Sequence, residues 1–348
     1  MRTRWGSAVT LVSLLSGAAC EAVVLPAPST NDSTGGASTM GGAPSTGGGP
    51  ATGGNGACVA DLSLPSGAPV TIASDMTQPH SIALVGDHIY VTESGNEFPD
   101  GALVRMPKVG GLFERVVTDQ ASPRAMTSTP NYIYWANYGN GDNGSLNRLS
   151  LVDDSVEVLA TDLKDPWGIA HYDGSLYATE RGSSRVIAVR ADLSVDVVSN
   201  DIAHPIAVDE TGAYLGAIVY EPHETPIRRI GLDGNAADLY DDLFYTRVLL
   251  LDGNDLYFGT KDGRIGRGTR GGAPAVTLAE VSDAVNGAVI ADCFLYFTLD
   301  QGDVGRLPVE GGDVQWLASG QGISLGIAVD DEAIYWVNAD GTVRRLDK

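Results

Sequence analysis

Apolar residues in this chain come in short runs bounded by Gly, Asp and Asn, a pattern of strands and tight turns and not of helices. One unit recurs, an aliphatic residue followed by tyrosine: Ile89-Tyr90, Ile133-Tyr134, Leu176-Tyr177, Leu256-Tyr257, Leu295-Tyr296 and Ile334-Tyr335, with a degenerate copy at Ala213-Tyr214. The tyrosines stand 44, 43, 37, 43, 39 and 39 residues apart. Self-similarity at that spacing, built from strand-length segments, is the period of a four-stranded repeat.

Each copy holds the same elements in order. An apolar strand precedes the tyrosine, as in Ser81-Ile82-Ala83-Leu84 and Gly326-Ile327-Ala328-Val329. A tight Asp/Gly turn such as Gly86-Asp87 or Asp173-Gly174 leads into the tyrosine strand. The third strand reads Gly-x-aliphatic-x-Arg, for example Gly101 to Arg105, Gly144 to Arg148 and Gly341 to Arg345. A Val/Leu-rich fourth strand follows. Seven such copies predict an all-β, seven-bladed β-propeller of four-stranded blades. The last copy ends at Lys348 after its third strand, and Val70 to Asp75 matches the fourth-strand endings Val116 to Asp119 and Val158 to Asp162. The N-terminal strand is therefore expected to close blade seven, which leaves the ring no unpaired edge at its seam.

Residues 66 to 348 resemble the NHL, YWTD and TolB-like group of propellers, and Ile133-Tyr134-Trp135-Ala136-Asn137 and Ile334-Tyr335-Trp336-Val337-Asn338 are similar to the YWTD unit. Pro166-Trp167-Gly168-Ile169-Ala170, followed by Asp173-Gly174 and Leu176 to Glu180, is similar to the repeat of streptogramin lyases. That second resemblance implies a histidine base and a magnesium site on one propeller face. The same blades serve scaffolds, receptors and enzymes, so the resemblance carries fold further than function.

The N-terminus adds a compartment. Arg2 and Arg4 precede an apolar run from Trp5 to Leu15, too short to span a bilayer, so residues 1-19 read as a signal peptide. Leu15-Ser16-Gly17-Ala18-Ala19-Cys20 resembles a bacterial lipobox, which implies lipidation at Cys20 and a lipoprotein of the cell envelope. Cleavage after Ala19 into a periplasmic or secreted soluble form is the alternative, because Gly17 stands where an aliphatic residue is usual. Residues 20-57, rich in Gly, Ser, Thr and Pro, read as a flexible tether, and 58-348 as the propeller domain. The membrane is then reached only through the anchor.

Lys and Arg number 22 against 44 Asp and Glu, a net charge of −22 that argues against a nucleic acid partner. Besides Cys20 the chain has only Cys58 and Cys293, which in an oxidising compartment are expected to pair; two unrelated buried thiols is the other reading. Strand direction favours the pair, since Cys58 approaches blade seven from the face that carries the Ala291-Asp292-Cys293 turn of blade six. The repeated arginines at 105, 148, 229, 267, 306 and 345 are expected to reach between blades.

Propeller connectivity sorts the polar residues. Loops joining strand four to the next strand one, and strand two to strand three, surround one channel mouth. The first set carries His80, Trp167 and His204; the second opens with Glu93, Asn137, Glu180, Glu221, Asp300 and Asn338. Converging polar groups at a concave mouth suit a ligand, although Asp, Asn and Gly also prevail in such loops for backbone reasons. Two functions stay open. One is an envelope-anchored binding or scaffold module for a small-molecule, glycan or protein ligand, monomeric. The other is a metal-assisted lyase or lactonase-like enzyme, with His80 or His204 as base and Glu180 among the ligands of a divalent ion. No cofactor is required by the first.

Overall fold

The computed structural model describes residues 58–65, 67–96, 98–217 and 226–348. The signal peptide, the tether, Cys20 and Glu221 lie outside the described residues. Within them every regular element is a strand, and 28 strands form seven four-stranded antiparallel sheets. The sheets follow one another along the chain and close into a ring. The first strand of each packs against the first strands of both neighbours, so these seven strands stand innermost. They are Pro79–Val85, Pro123–Ser128, Pro166–Tyr172, Ala203–Asp209, Thr246–Asp252, Val285–Ala291 and Ser324–Val329.

The recurring tyrosine and arginine are cross-strand partners. Tyr90 faces Arg105, Tyr134 faces Arg148, Tyr214 faces Arg229, Tyr257 faces Arg267, Tyr296 faces Arg306 and Tyr335 faces Arg345 in the ladder of second and third strands. In blade three Ala188 occupies that position opposite Tyr177, and Arg190 covers Tyr177 instead, 5.9 Å from its ring centre. A guanidinium beside an aromatic face keeps its charge in water while its stem covers apolar surface. Where these arginines reach differs from the expectation in half of the cases. Arg105, Arg267 and Arg345 bridge to the next blade through Asp154, Glu310 and the Lys108 carbonyl. Arg148 and Arg229 stay within their own blades, on Glu157 and the Thr211 carbonyl, and Arg306 bonds Gln315 of its own blade and the Ser63 carbonyl of the N-terminal segment. Outer strands differ in length and turn, so one position does not find one partner.

A second stitch is a buried threonine on the tyrosine strand. Thr92, Thr179 and Thr298 accept a backbone N–H from the first strand of their own blade, at Ser81, Gly168 and Gly287. Each donates to a carbonyl on the next blade's first strand, at Arg124, His204 and Leu325. Each such hydroxyl thus satisfies two buried backbone groups across a blade boundary.

The seam closes as expected. Val70–Ala73 pairs antiparallel with Val343–Asp347, Val70 opposite Arg345 and Ala73 opposite Val343. Cys58 and Cys293 are joined in a disulfide, with Cα atoms 5.5 Å apart. Between the bridge and the closing strand, the Leu62 and Ser63 carbonyls accept from Gln315 and Arg306 of blade six, so the segment runs across that blade. A disulfide of this kind fits an exported protein.

Candidate functional site

The site starts from a shared irregularity. In all seven blades the pairing of first and second strands shifts register near the start of the first strand, between Pro79 and Ile82, Pro123 and Met126, Pro166 and Ile169, and at the matching places in the other four. A bulge there re-aims one side chain per blade. These residues are His80, Arg124, Trp167, His204, Arg247, Asn286 and Leu325, each ten residues before the tyrosine of its blade. All but Arg124 line one cavity of about 250 Å³, completed by Met126, Arg181, Pro205, Tyr245 and Lys261 among others. Arg181, Lys261 and Tyr138 stand four residues after their tyrosines, at the other set of loops on the same face.

Trp167 organises the cluster. His204 stacks on it with ring centres 4.8 Å apart and 15° between planes, and His80 and Tyr138 meet it edge-on at 6.4 and 5.6 Å. The guanidinium carbons of Arg124 and Arg181 lie 5.1 and 5.6 Å from its centre. The Tyr245 hydroxyl sits 3.0 Å from His204 Nδ1, and Lys261 Nζ lies 5.6 Å from the Tyr245 ring. The indole thus places the histidines and cations while remaining part of the cavity wall.

The electrostatics invert those of the whole molecule. Among the described residues no carboxylate lines the cavity. Among the described residues Arg124, Arg181 and Lys261 make no ion pair, while Arg247 Nη1 lies 3.2 Å from Asp300. Burial first, then Arg124 and Arg247, pushes the pKa of His80 down to about 4. Burial, then Arg181 and Arg247, pushes His204 down to about 3. Both imidazoles are therefore neutral at pH 7, held so by desolvation and by cations that repel a further positive charge. Such imidazoles are weak bases, whereas the described lining of the opening is cationic.

Of the residues assigned to the mouth from sequence, His80, Trp167 and His204 line the cavity together. Asp300 is adjacent, holding Arg247 and accepting from Asn286 Nδ2 at 2.5 Å. Glu93, Asn137, Glu180 and Asn338 are not in the cavity. Each is the third residue after its tyrosine, all are at most 5 % exposed, and each is bonded into its own blade, Asn137 also to Gln120 of the preceding blade. Glu93 accepts from Arg115 at 2.6 and 2.7 Å and from the Thr77 N–H. Glu180 accepts from Arg185 at 2.6 Å, Ser183 at 2.8 Å and the Lys164 N–H at 2.9 Å. Asn137 bonds Gln120 and Ser145, and Asn338 bonds Ser324 and Thr342. A metal ion of the kind the lyase resemblance implies does not fit this donor set. Glu180 is committed to Arg185, and among the described residues no three His, Cys, Asp or Glu side chains are grouped to hold a cation. Sequence reasoning missed Arg124, Arg181, Tyr245, Arg247, Lys261 and Asn286, although counting ten back and four forward from each tyrosine finds all of them except Tyr245.

No protein-family profile matches the chain, and no curated protein matches it. Solved structures do. A catalytically inactive virginiamycin B lyase from Staphylococcus aureus, crystallised with quinupristin, is 15 % identical, with a TM-score of 0.61 over 80 % of this chain and 98 % of that one. A streptogramin B lyase is 14 % identical at the same TM-score, covering 80 % and 97 %. The computationally designed Ika8 protein is 11 % identical at 0.59, covering 80 % and 98 %. These likenesses show the seven-bladed fold. A designed protein among them underlines that the fold carries no particular activity.

Proposed function

We propose that this protein is a binding module of the cell envelope that holds a small-molecule ligand at the mouth of its propeller. The observation that carries the reading is the convergence of six of the seven bulge residues on one cavity, in which, among the described residues, the cations have no carboxylate within the lining. A concave site with a few placed polar groups is a binding geometry. Glu93 and Glu180 are engaged by Arg115 and Arg185 within their own blades, which favours binding over lyase or lactonase chemistry.

Binding can be tested without knowing the ligand. A library of neutral, anionic and cationic small molecules is screened against the exported protein with histidine-labelled NMR, following His80 and His204 at the mouth and His88 and His171 as remote reporters. Hits that move the mouth residues support the reading. Hits that move only remote residues, or none at all, overturn it.

Attachment through Cys20 belongs to the same proposal, and a tether of 37 residues would hold the ring roughly 33 Å from the membrane. Labelled palmitate is expected to enter the wild-type protein and not Cys20→Ser. Label in both, or in neither, removes the anchor at Cys20 from the account.

A further inference from the structure

Resting on the mouth being a binding site, the geometry points to its ligand class: a small hydroxylated oxyanion, a sugar acid or sugar phosphate of about hexose size.

Three observations carry this independently of the fold likeness. The first is charge. Among the described residues, Arg181, Arg247 and Lys261 line the cavity and no lining residue is acidic. In a chain of net charge −22 carboxylates are abundant, so Arg181 and Lys261, which no described carboxylate pairs, are available to an anion brought from outside. Asp300 compensates Arg247 alone, from outside the lining.

The second is unmet hydrogen bonding. Among the described residues the side-chain oxygen of Asn286 and Nδ1 of His80 are buried without a partner, and both residues line the cavity. The Asn286 amide is oriented by its nitrogen, which donates to Asp300 and to the Ser324 carbonyl at 2.9 Å. Its oxygen is therefore the group left over, and an acceptor cannot be satisfied by an anion. It needs a donor, which a ligand hydroxyl supplies. A buried polar atom of this kind is costly until it is paired.

The third is shape. Ala125, Met126, Pro205, Leu325 and Gly326 supply apolar lining for a carbon frame. A volume of about 250 Å³ lies at the small end of ligand sites. His204 stacks on the Trp167 ring and the Arg124 guanidinium lies 5.1 Å from its centre, so the contacts on the indole are made in part by the protein itself.

The test is calorimetry of the exported protein with four probes: glucuronate, glucose 6-phosphate, glucose and hexanoate. The two hydroxylated anions are expected to bind at least tenfold more tightly than neutral glucose or the unhydroxylated anion. Preference between the two anions distinguishes a carboxylate from a phosphate ligand. In histidine-labelled NMR, binding raises the titration midpoints of His80 and His204, because a nearby anion favours the charged imidazole. Arg247→Gln weakens binding about tenfold and Lys261→Gln about fivefold, with partial rescue by Arg247→Lys. Lys261 is exposed, so its variant tests the proposal even if loss of Arg247 disturbs Asp300. Glucose binding at the mouth as tightly as glucuronate, unaffected by either charge variant, overturns this inference and leaves the binding reading standing. Anion binding with His80 and His204 unmoved, or no binding of either anion, also overturns it.

Discussion

His204 lies flat against Trp167, ring centres 4.8 Å apart, although the two residues belong to different blades and are 37 positions apart. The stack buries an imidazole beside cations, and this has a measurable cost on acidification. His204 and His80 have pKa values of about 3 and 4 in the folded protein against an ordinary 6.5, so below that value the unfolded chain binds more protons. Their contribution is fully present above pH 6.5 and is lost as pH falls toward the folded values, at up to about 1.4 kcal/mol per pH unit for each group. Thermal unfolding between pH 7 and 5 is therefore expected to show a shallower decline in His204→Phe than in the wild type. Parallel curves would show that His204 is not held neutral.

Glu180 acts on stability. Its carboxylate is buried and bonded to a partly exposed Arg185, so Glu180→Gln strands a half-buried cation and is expected to cost about 2 kcal/mol in urea unfolding, reduced from the figure for a fully buried pair by the exposure of the arginine. A double variant with Arg185→Gln recovers part of that loss. If Glu180 were instead a metal ligand, magnesium would raise the melting temperature of the wild type and not of Glu180→Gln.

Closure of the ring rests on Val70–Ala73. A protein lacking residues 1–69 keeps that strand, whereas one lacking residues 1–76 exposes the edge of Val343–Asp347 and opens the seam. The shorter deletion is expected to stay soluble with a modestly lowered melting temperature, and the longer to aggregate or melt far lower. Equal stability of the two would show that the strand is dispensable.

The Cys58–Cys293 bridge joins residues 235 positions apart. Cys58→Ser is expected to lower stability by about 2–4 kcal/mol while leaving ligand binding unchanged, since the bridge sits on the face opposite the mouth. Peptide mapping without reductant should recover the linked peptides. Free thiol at both positions would refute the pairing.

The period of the tyrosines and the truncated last repeat determined the architecture from sequence alone, down to which strand closes the ring. They could do so because each blade buries the same apolar pattern against its neighbours, and repetition makes that pattern visible. His80, Trp167 and His204 were legible for the same reason. What the pattern did not determine was which side chain of each loop enters the cavity. Glu93 and Glu180 are one position short of the residues that face the mouth, and neighbours in an extended chain point to opposite sides. Glu180 turns back onto Arg185 while Arg181 turns to Trp167. The bulge that aims Arg247 and Asn286 leaves no mark in composition, because any side chain can occupy it. Only the closed ring, which sets seven such positions around one axis, turns scattered cations of an acidic chain into a single site.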